Sequence, residues 1–125
     1  MDKKRILIID DEENFAKLVK LNLQATGRYE VKMENKGASG LAAAKEFKPD
    51  LILLDIMMPD LGGDEVAYRI KADVSTKDIP VIFVSALVKK DEVASHDGMI
   101  YDHPFIAKPV TAQELIDAIE RNIHE

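Results

Sequence analysis

Leu51-Ile52-Leu53-Leu54-Asp55-Ile56-Met57-Met58-Pro59, followed by Gly62-Gly63, is the stretch that decides the fold. Four apolar residues in a row, without alternation, read as a strand covered on both faces, and the Pro/Gly-rich segment after it reads as a turn. Such a strand stops on a carboxylate, so Asp55 stands at the mouth of a buried sheet. Two further runs end on polar groups in the same way. Ile6-Leu7-Ile8-Ile9 leads into Asp10-Asp11, and Phe105-Ile106-Ala107 leads into Lys108. Three acids and a lysine at strand ends suggest phosphate and metal chemistry.

Working outward, strand-like runs at residues 5 to 10, 29 to 34, 51 to 55, 81 to 85 and 105 to 107 alternate with helix-like stretches. This is the pattern of βαβ units around a parallel sheet. Only the run from Tyr29 to Glu34 alternates apolar with polar residues, which places the second strand at an edge. The expectation is an α/β, flavodoxin-like, doubly wound five-stranded parallel sheet of order 2-1-3-4-5, wrapped by about five helices. Its crevice lies between strands 1 and 3, where Asp10, Asp11 and Asp55 would converge. Phe15, Leu18, Val19 and Leu23 recur at helical spacing and Gly27 supplies a stop. Thr111-Ala112-Gln113-Glu114 reads as a capping box ahead of an apolar stripe of Leu115, Ile116, Ile119 and Ile123. The Ala42-Ala43-Ala44 run reads as close packing of a helix on the sheet. Between Lys89 and Pro104 the periodicity is poor, so the fourth helix region is expected to be irregular.

With 125 residues the chain has room for one domain, taken as residues 1–125, and not for a separate output domain of ordinary size. No apolar stretch approaches bilayer length, and the start, Met1-Asp2-Lys3-Lys4-Arg5, does not resemble a secretory leader. The absence of cysteine excludes disulfides and thiol catalysis and fits a cytoplasmic location. A net charge of −6 argues against nucleic acid as a direct partner, which would require clustered Lys and Arg.

Carboxylates brought within a few ångströms repel one another and recruit a cation or share a proton. An oxygen-only donor set favours Mg²⁺ or Mn²⁺ over zinc. Phosphoryl transfer is the matching reaction: Asp55 would attack phosphorus, and Lys108 would pair with the transferred group. Ser85 ends the fourth strand at the same sheet edge, where its hydroxyl could donate to a phosphoryl oxygen, and the small Ala86 beside it leaves room for a donor or water. By contrast, His96, Asp97, Asp102 and His103 lack helical pairing and are interrupted by Gly98, so they read as a polar loop. On general grounds an X-Pro bond is cis in only about 5 to 6% of cases, which favours trans at Lys108-Pro109.

Asp10-Asp11, Asp55 with Met58-Pro59 and Gly63, Ser85-Ala86 and Lys108-Pro109, in this order and spacing, resemble the receiver domains of two-component response regulators. The resemblance covers nearly the whole chain. It implies a Mg²⁺-dependent signalling switch and not an enzyme turning over a separate substrate. Asp55 would accept a phosphoryl group from a sensor histidine kinase or phosphotransfer protein. The resemblance further implies that Mg²⁺ is held by Asp11 directly, by Asp10 through water, by Asp55 and by the backbone carbonyl of Met57. Lys108 would bind the phosphoryl group across a cis Lys108-Pro109 bond, reversing the trans expectation. Ser85 and Phe105 would form the switch, the hydroxyl moving to the phosphate and the ring turning inward. Met57 offers no group to position water, so autodephosphorylation should be slow. An output partner or domain is implied without being specified, and a phosphorylation-dependent homodimer is compatible with the pattern. Where receivers usually carry Gly-Ala before the last strand, this chain has Ile100-Tyr101, which sets the partner-facing region apart. Two rival readings are a phosphorylation-independent pseudo-receiver and an Asp-nucleophile phosphohydrolase. The first would usually lack an acid or the lysine, and the second would usually show Asp-x-Asp after strand one. A nucleotide-binding flavodoxin-like protein is disfavoured, because no glycine-rich loop follows strand one.

Overall fold

The computed structural model describes residues 3–86, 99–100 and 103–123. In chain order the elements are β1 (Lys4–Ile9), α1 (Glu13–Ala25), β2 (Tyr29–Glu34), a 3₁₀ turn (Gly37–Ser39), α2 (Gly40–Phe47), β3 (Leu51–Leu54), α3 (Gly63–Ala72), β4 (Val81–Ser85), β5 (Met99–Ile100), β6 (His103–Ala107) and α4 (Ala112–Asn122). The strands line up as β2-β1-β3-β4-β6-β5. The first five of these are mutually parallel, giving the expected 2-1-3-4-5 order with His103–Ala107 as the fifth strand. The two-residue β5 was not expected from the sequence. It pairs antiparallel with β6 (Met99↔Pro104, Ile100↔His103), and a pairing of two residues carries too little periodicity to be read from sequence. Four α-helices lie among the described residues; of the segment expected to be irregular, residues 89–104, Met99–Ile100 forms β5 and His103 and Pro104 begin β6, while 89–98 and 101–102 lie outside the described residues.

The continuously apolar strands are explained by two cores, one on each face of the sheet. Ile6, Ile8, Leu51, Leu53, Ile82 and Val84 point to the face covered by α1 and α4. Leu7, Ile9, Ile52, Leu54 and Phe83 point to the face covered by α2 and α3. Alternate residues therefore serve opposite cores, and no polar face is left to produce alternation. β2 is the edge strand, as its pattern predicts, and the Gln24 side chain of α1 accepts from the Val31 N–H at 3.1 Å.

Helix ends follow local chemistry. Gly27 takes φ +76° just past α1, the left-handed conformation that stops a helix at little cost in glycine. At α4 the capping box is complete: Thr111 Oγ1 accepts from Glu114 N–H, and Glu114 Oε1 accepts from Thr111 N–H, both at 3.1 Å. Leu115, Ile116 and Ile119 are buried behind it and Ile123 is half-buried. Two expectations need correction. Leu18 is 56% exposed, with Ala16 taking the buried place beside Val19 and Leu23. Only Ala43 and Ala44 of the alanine run are buried, because Ala42 lies on the outer side of α2.

Gly63 fixes how the chain leaves β3. A Cβ there would land on the Asp55 carbonyl oxygen and 2.7 Å from Ile56 Cα, so α3 can start this close to the strand end only with glycine. Gly63→Ala should therefore destabilise the protein by about 1 to 3 kcal/mol, read as a lower urea midpoint at unchanged slope. An unchanged midpoint would show that the strand end yields freely.

Candidate functional site

The acids meet because of register. Ile9 and Leu54 are paired across β1 and β3, so Asp10 and Asp55 each stand one residue beyond the same rung. Asp10 N–H donates to Glu34 O and Asp55 N–H to Ile9 O, both at 3.0 Å, which carries the ladder one step into the site. Asn35 Nδ2 donates to the Asp10 carbonyl at 3.1 Å and ties the β2 end to the same corner. On the other side of the crevice, Ser85 pairs with Ala107, and Lys108 N–H donates to Ser85 O at 2.9 Å. The Lys108-Pro109 bond is cis.

Carboxylate oxygens of Asp10, Asp11 and Asp55 all lie within 4.8 Å of one another, the one such cluster among the described residues. Asp10 and Asp55 are buried and Asp11 is exposed. Asp55 is only 4% accessible, yet it borders an open cleft of about 260 Å³ lined by Asp11, Glu12, Asp55, Met57, Ser85 and Ala86. Ser85 is fully buried at the cleft edge, while the Met57 side chain is largely exposed. Lys108 Nζ donates to Asp10 Oδ2 at 2.9 Å and to Glu12 Oε1 at 2.8 Å, and stands 4.3 Å from the centre of the Phe15 ring.

The crowding has electrostatic consequences. Burial, then the Asp10 charge, push the Asp55 carboxyl up to about 7 against the opposing pull of Lys108, with a hydrogen bond to Asp11 adding to the rise. Burial also raises Asp10, outweighing the hydrogen bonds from Lys108 and from the Glu12 N–H. Burial works against the Lys108 ammonium, but Glu12 and Asp10 more than compensate and its pKa is raised. Two buried carboxyls whose ionised forms are disfavoured, Asp10 and Asp55, with the exposed Asp11 carboxylate beside them at a cleft open to water, make an oxygen-only donor set that fits a hard divalent cation.

Asp10, Asp11, Asp55, Ser85 and Lys108 thus gather as expected, and Met57 borders the same cleft. Phe105 lies outside it. Its ring is 4% exposed, on the α2/α3 face, with its centroid 6.3 Å from that of Phe83. His103 stands edge-on to Phe83 at 5.4 Å, consistent with a packing role, while His96, Asp97 and Asp102 lie outside the described residues. Two site residues escaped the sequence reading. Glu12 follows the Asp pair directly, which was the available signal, and Phe15 was read only as a core position of α1.

The family model for the response regulator receiver domain matches residues 6–120. The polar-differentiation response regulator DivK of Brucella anthropi is 36% identical over 118 residues, covering 94% of each chain. The DNA-binding dual master transcriptional regulator RpaA of Synechocystis sp. is 38% identical over 113 residues, 90% of this chain and 46% of that protein. The chain spans about half the length of RpaA and of a Bacillus subtilis transcriptional regulatory protein, YkoG (46% and 53%), but nearly all of DivK (94%). Among solved structures, the CheY-like response regulator receiver domain protein of Methanospirillum hungatei JF-1 superposes with a TM-score of 0.79 at 28% identity, over 96% of this chain and 93% of that one. The N-terminal domain of a response regulator receiver protein of Methanoculleus marisnigri JR1 gives 0.70 at 35% identity, over 94% of each. With its sheet order, its acidic cluster and these relatives, the chain belongs to the response regulator receiver domains of two-component signalling.

Proposed function

We propose that residues 1–125 form one phosphoacceptor domain in which Asp55 takes a phosphoryl group from a sensor histidine kinase or a phosphotransfer protein. The observation that supports this most is the gathering of Asp10, Asp11 and Asp55 within 4.8 Å, with the Lys108 ammonium 2.9 Å from Asp10. An Asp55 carboxylate oxygen forms the new bond to phosphorus as the donor's bond breaks, and the donor departs with the electron pair. Lys108 and the Ser85 hydroxyl neutralise and hold the phosphoryl oxygens. Asp10, Asp11, Asp55 and the Met57 carbonyl would hold Mg²⁺, which when bound supplies charge neutralisation for the acceptor and the incoming group.

The readout would pass through the β4 and β6 ends. Ser85 and Phe83 lie two residues apart on one face of β4, and Phe83 is paired with Phe105. Drawing Ser85 toward a phosphoryl group would favour the buried Phe105 ring over an outward rotamer. The ring is already buried without a phosphoryl group, so the switch would act by holding it inward; full burial of a Phe side chain is worth roughly 1.5 to 3 kcal/mol, enough to set the ratio of inward to outward rotamers at about one to two powers of ten. The partner or output domain that reads this face, a phosphorylation-dependent homodimer among the forms it could take, and a cytoplasmic location belong to the same proposal. No helix among the described residues is long and apolar enough to cross a membrane. The Met57 thioether has no N–H or O–H to orient water, so the acyl phosphate should hydrolyse slowly.

Intact mass after incubation with acetyl phosphate tests the reading. A single labile phosphoryl adduct should form with Mg²⁺, disappear with chelator, and be absent from Asp55→Asn. A pseudo-receiver would give no adduct under any condition, and rapid turnover of aryl phosphates would favour a phosphohydrolase.

A further inference from the structure

The geometry points to Glu12 as a removable counter-ion that holds Lys108 away from the cleft until an arriving phosphoryl anion displaces it. The inference rests on the phosphoacceptor reading of the same site. An ammonium has three N–H groups and no more. Two of those on Lys108 go to Asp10 and Glu12, at 2.9 and 2.8 Å, and the cation rests over the Phe15 ring at 4.3 Å. Its side chain is only 8% exposed, and the cleft wall carries Glu12 where a phosphoryl-binding cation would be needed. An anion entering the cleft therefore meets carboxylates first. Although two carboxylates do not exhaust the three N–H donors of Lys108, they neutralise its charge and hold it at Asp10 and Glu12, so a phosphoryl anion competes with one of them for the cation.

Burial decides which partner yields. Asp10 has 1% of its side chain exposed, and losing Lys108 would leave its charge in the interior with one N–H donor, that of Glu12, at 2.9 Å. Glu12 has 58% of its side chain exposed, so water can replace the ammonium with little penalty. The Glu12 main chain stays fixed by that same N–H bond to Asp10 Oδ1, so a side-chain rotation is enough to release the lysine. Glu12 would thus be a positioning residue that slows capture of an anionic donor by occupying the cation the donor needs.

Two measurements on the intact chain test this: the initial rate of adduct formation with acetyl phosphate at saturating Mg²⁺, and the rate at which limiting acetic anhydride modifies Lys108 in the unphosphorylated protein, mapped by peptide mass. Glu12→Gln keeps the shape and removes the charge; it should form adduct about three- to tenfold faster and make Lys108 about two- to fivefold more reactive. Glu12→Asp, which keeps a charge but shortens the reach, should fall between the two. Glu12 sits exposed at the α1 cap, and thermal melting of each variant checks that folding is retained. Unchanged Lys108 reactivity with an unchanged or slower adduct rate overturns the proposal. Faster Lys108 labelling in a chain that never forms an adduct would retain Glu12 as the displaceable partner of the lysine and overturn the phosphoacceptor reading instead.

Discussion

Replacing Lys108 by Met is expected to lower the melting temperature by about 10 °C in chelator-containing buffer at neutral pH and to reduce adduct formation about a hundredfold. The ammonium is 8% exposed and its partner Asp10 is 1% exposed, 2.9 Å away. Methionine keeps the apolar stem over Phe15 but strands a buried carboxylate. Removing one partner of a buried ion pair typically costs about 3 to 5 kcal/mol, because the remaining charge is left uncompensated. Asp10, already raised by burial, can take up a proton and escape part of that penalty, leaving about 2 to 3 kcal/mol, or roughly 3 to 6 °C per kcal/mol for a chain of this size. The exposed pair with Glu12 should add almost nothing. Lys108→Arg, which restores the charge, should recover most of the stability and less of the adduct rate, since a planar fork does not reproduce a point charge. Circular dichroism melts and intact mass give the two readouts. Equal melting of Lys108→Met and wild type would mean that Asp10 and Lys108 are independently solvated, which would overturn the site as described.

The second large effect is a stability that falls as pH rises. The Asp55 carboxyl goes from an ordinary 3.8 to about 7 through burial and the Asp10 charge. Between those values the folded protein keeps a proton that the unfolded chain has released. Rising pH therefore favours the unfolded state, and the stabilisation present below about 4 is lost by about 7. A displacement of that size corresponds to roughly 4 kcal/mol, taken as a ceiling. In chelator, urea midpoints should drop from pH 5 to pH 7.5 in wild type. In Asp55→Asn, which cannot ionise, the drop should be much smaller and the protein should be more stable than wild type at pH 7.5. Adding Mg²⁺ should reverse the order, because a divalent cation stabilises the trio of carboxylates and has less to bind in the variant. Identical pH profiles for the two proteins would show that Asp55 ionises freely and is not held by its neighbours.

Which features were legible in the sequence follows from the range of the forces involved. The strand ends, the edge position of β2, the stop at Gly27 and the capping box at Thr111 each depend on a few consecutive residues whose local chemistry is strong. The positions of Asp10, Asp55 and Lys108 could also be anticipated, because parallel strands of known order end on one side of the sheet and each group closes an apolar run. Side-chain exposure on α1 was harder. Leu18 and Ala16 differ in size in the wrong direction for a simple hydrophobic reading, and only the packed structure shows Ala16 within the core and Leu18 56% exposed. The pairing of Met99–Ile100 with β6 is too short to leave a pattern.

From the order of its residues alone, this chain is committed to a parallel α/β sheet with acids and one lysine at its carboxyl edge, because continuous apolar runs must be covered on both faces and must end where polar groups reach water. Only the three-dimensional arrangement decides the electrostatic state of that edge: which carboxylates crowd within 4.8 Å, that Asp55 is pushed up to about 7, and that Lys108 is shared between Asp10 and Glu12 over the Phe15 ring. Charge interactions depend on distance and burial, and residues 98 apart in the chain, such as Asp10 and Lys108, acquire both only when β1 and β6 have taken their places in the sheet.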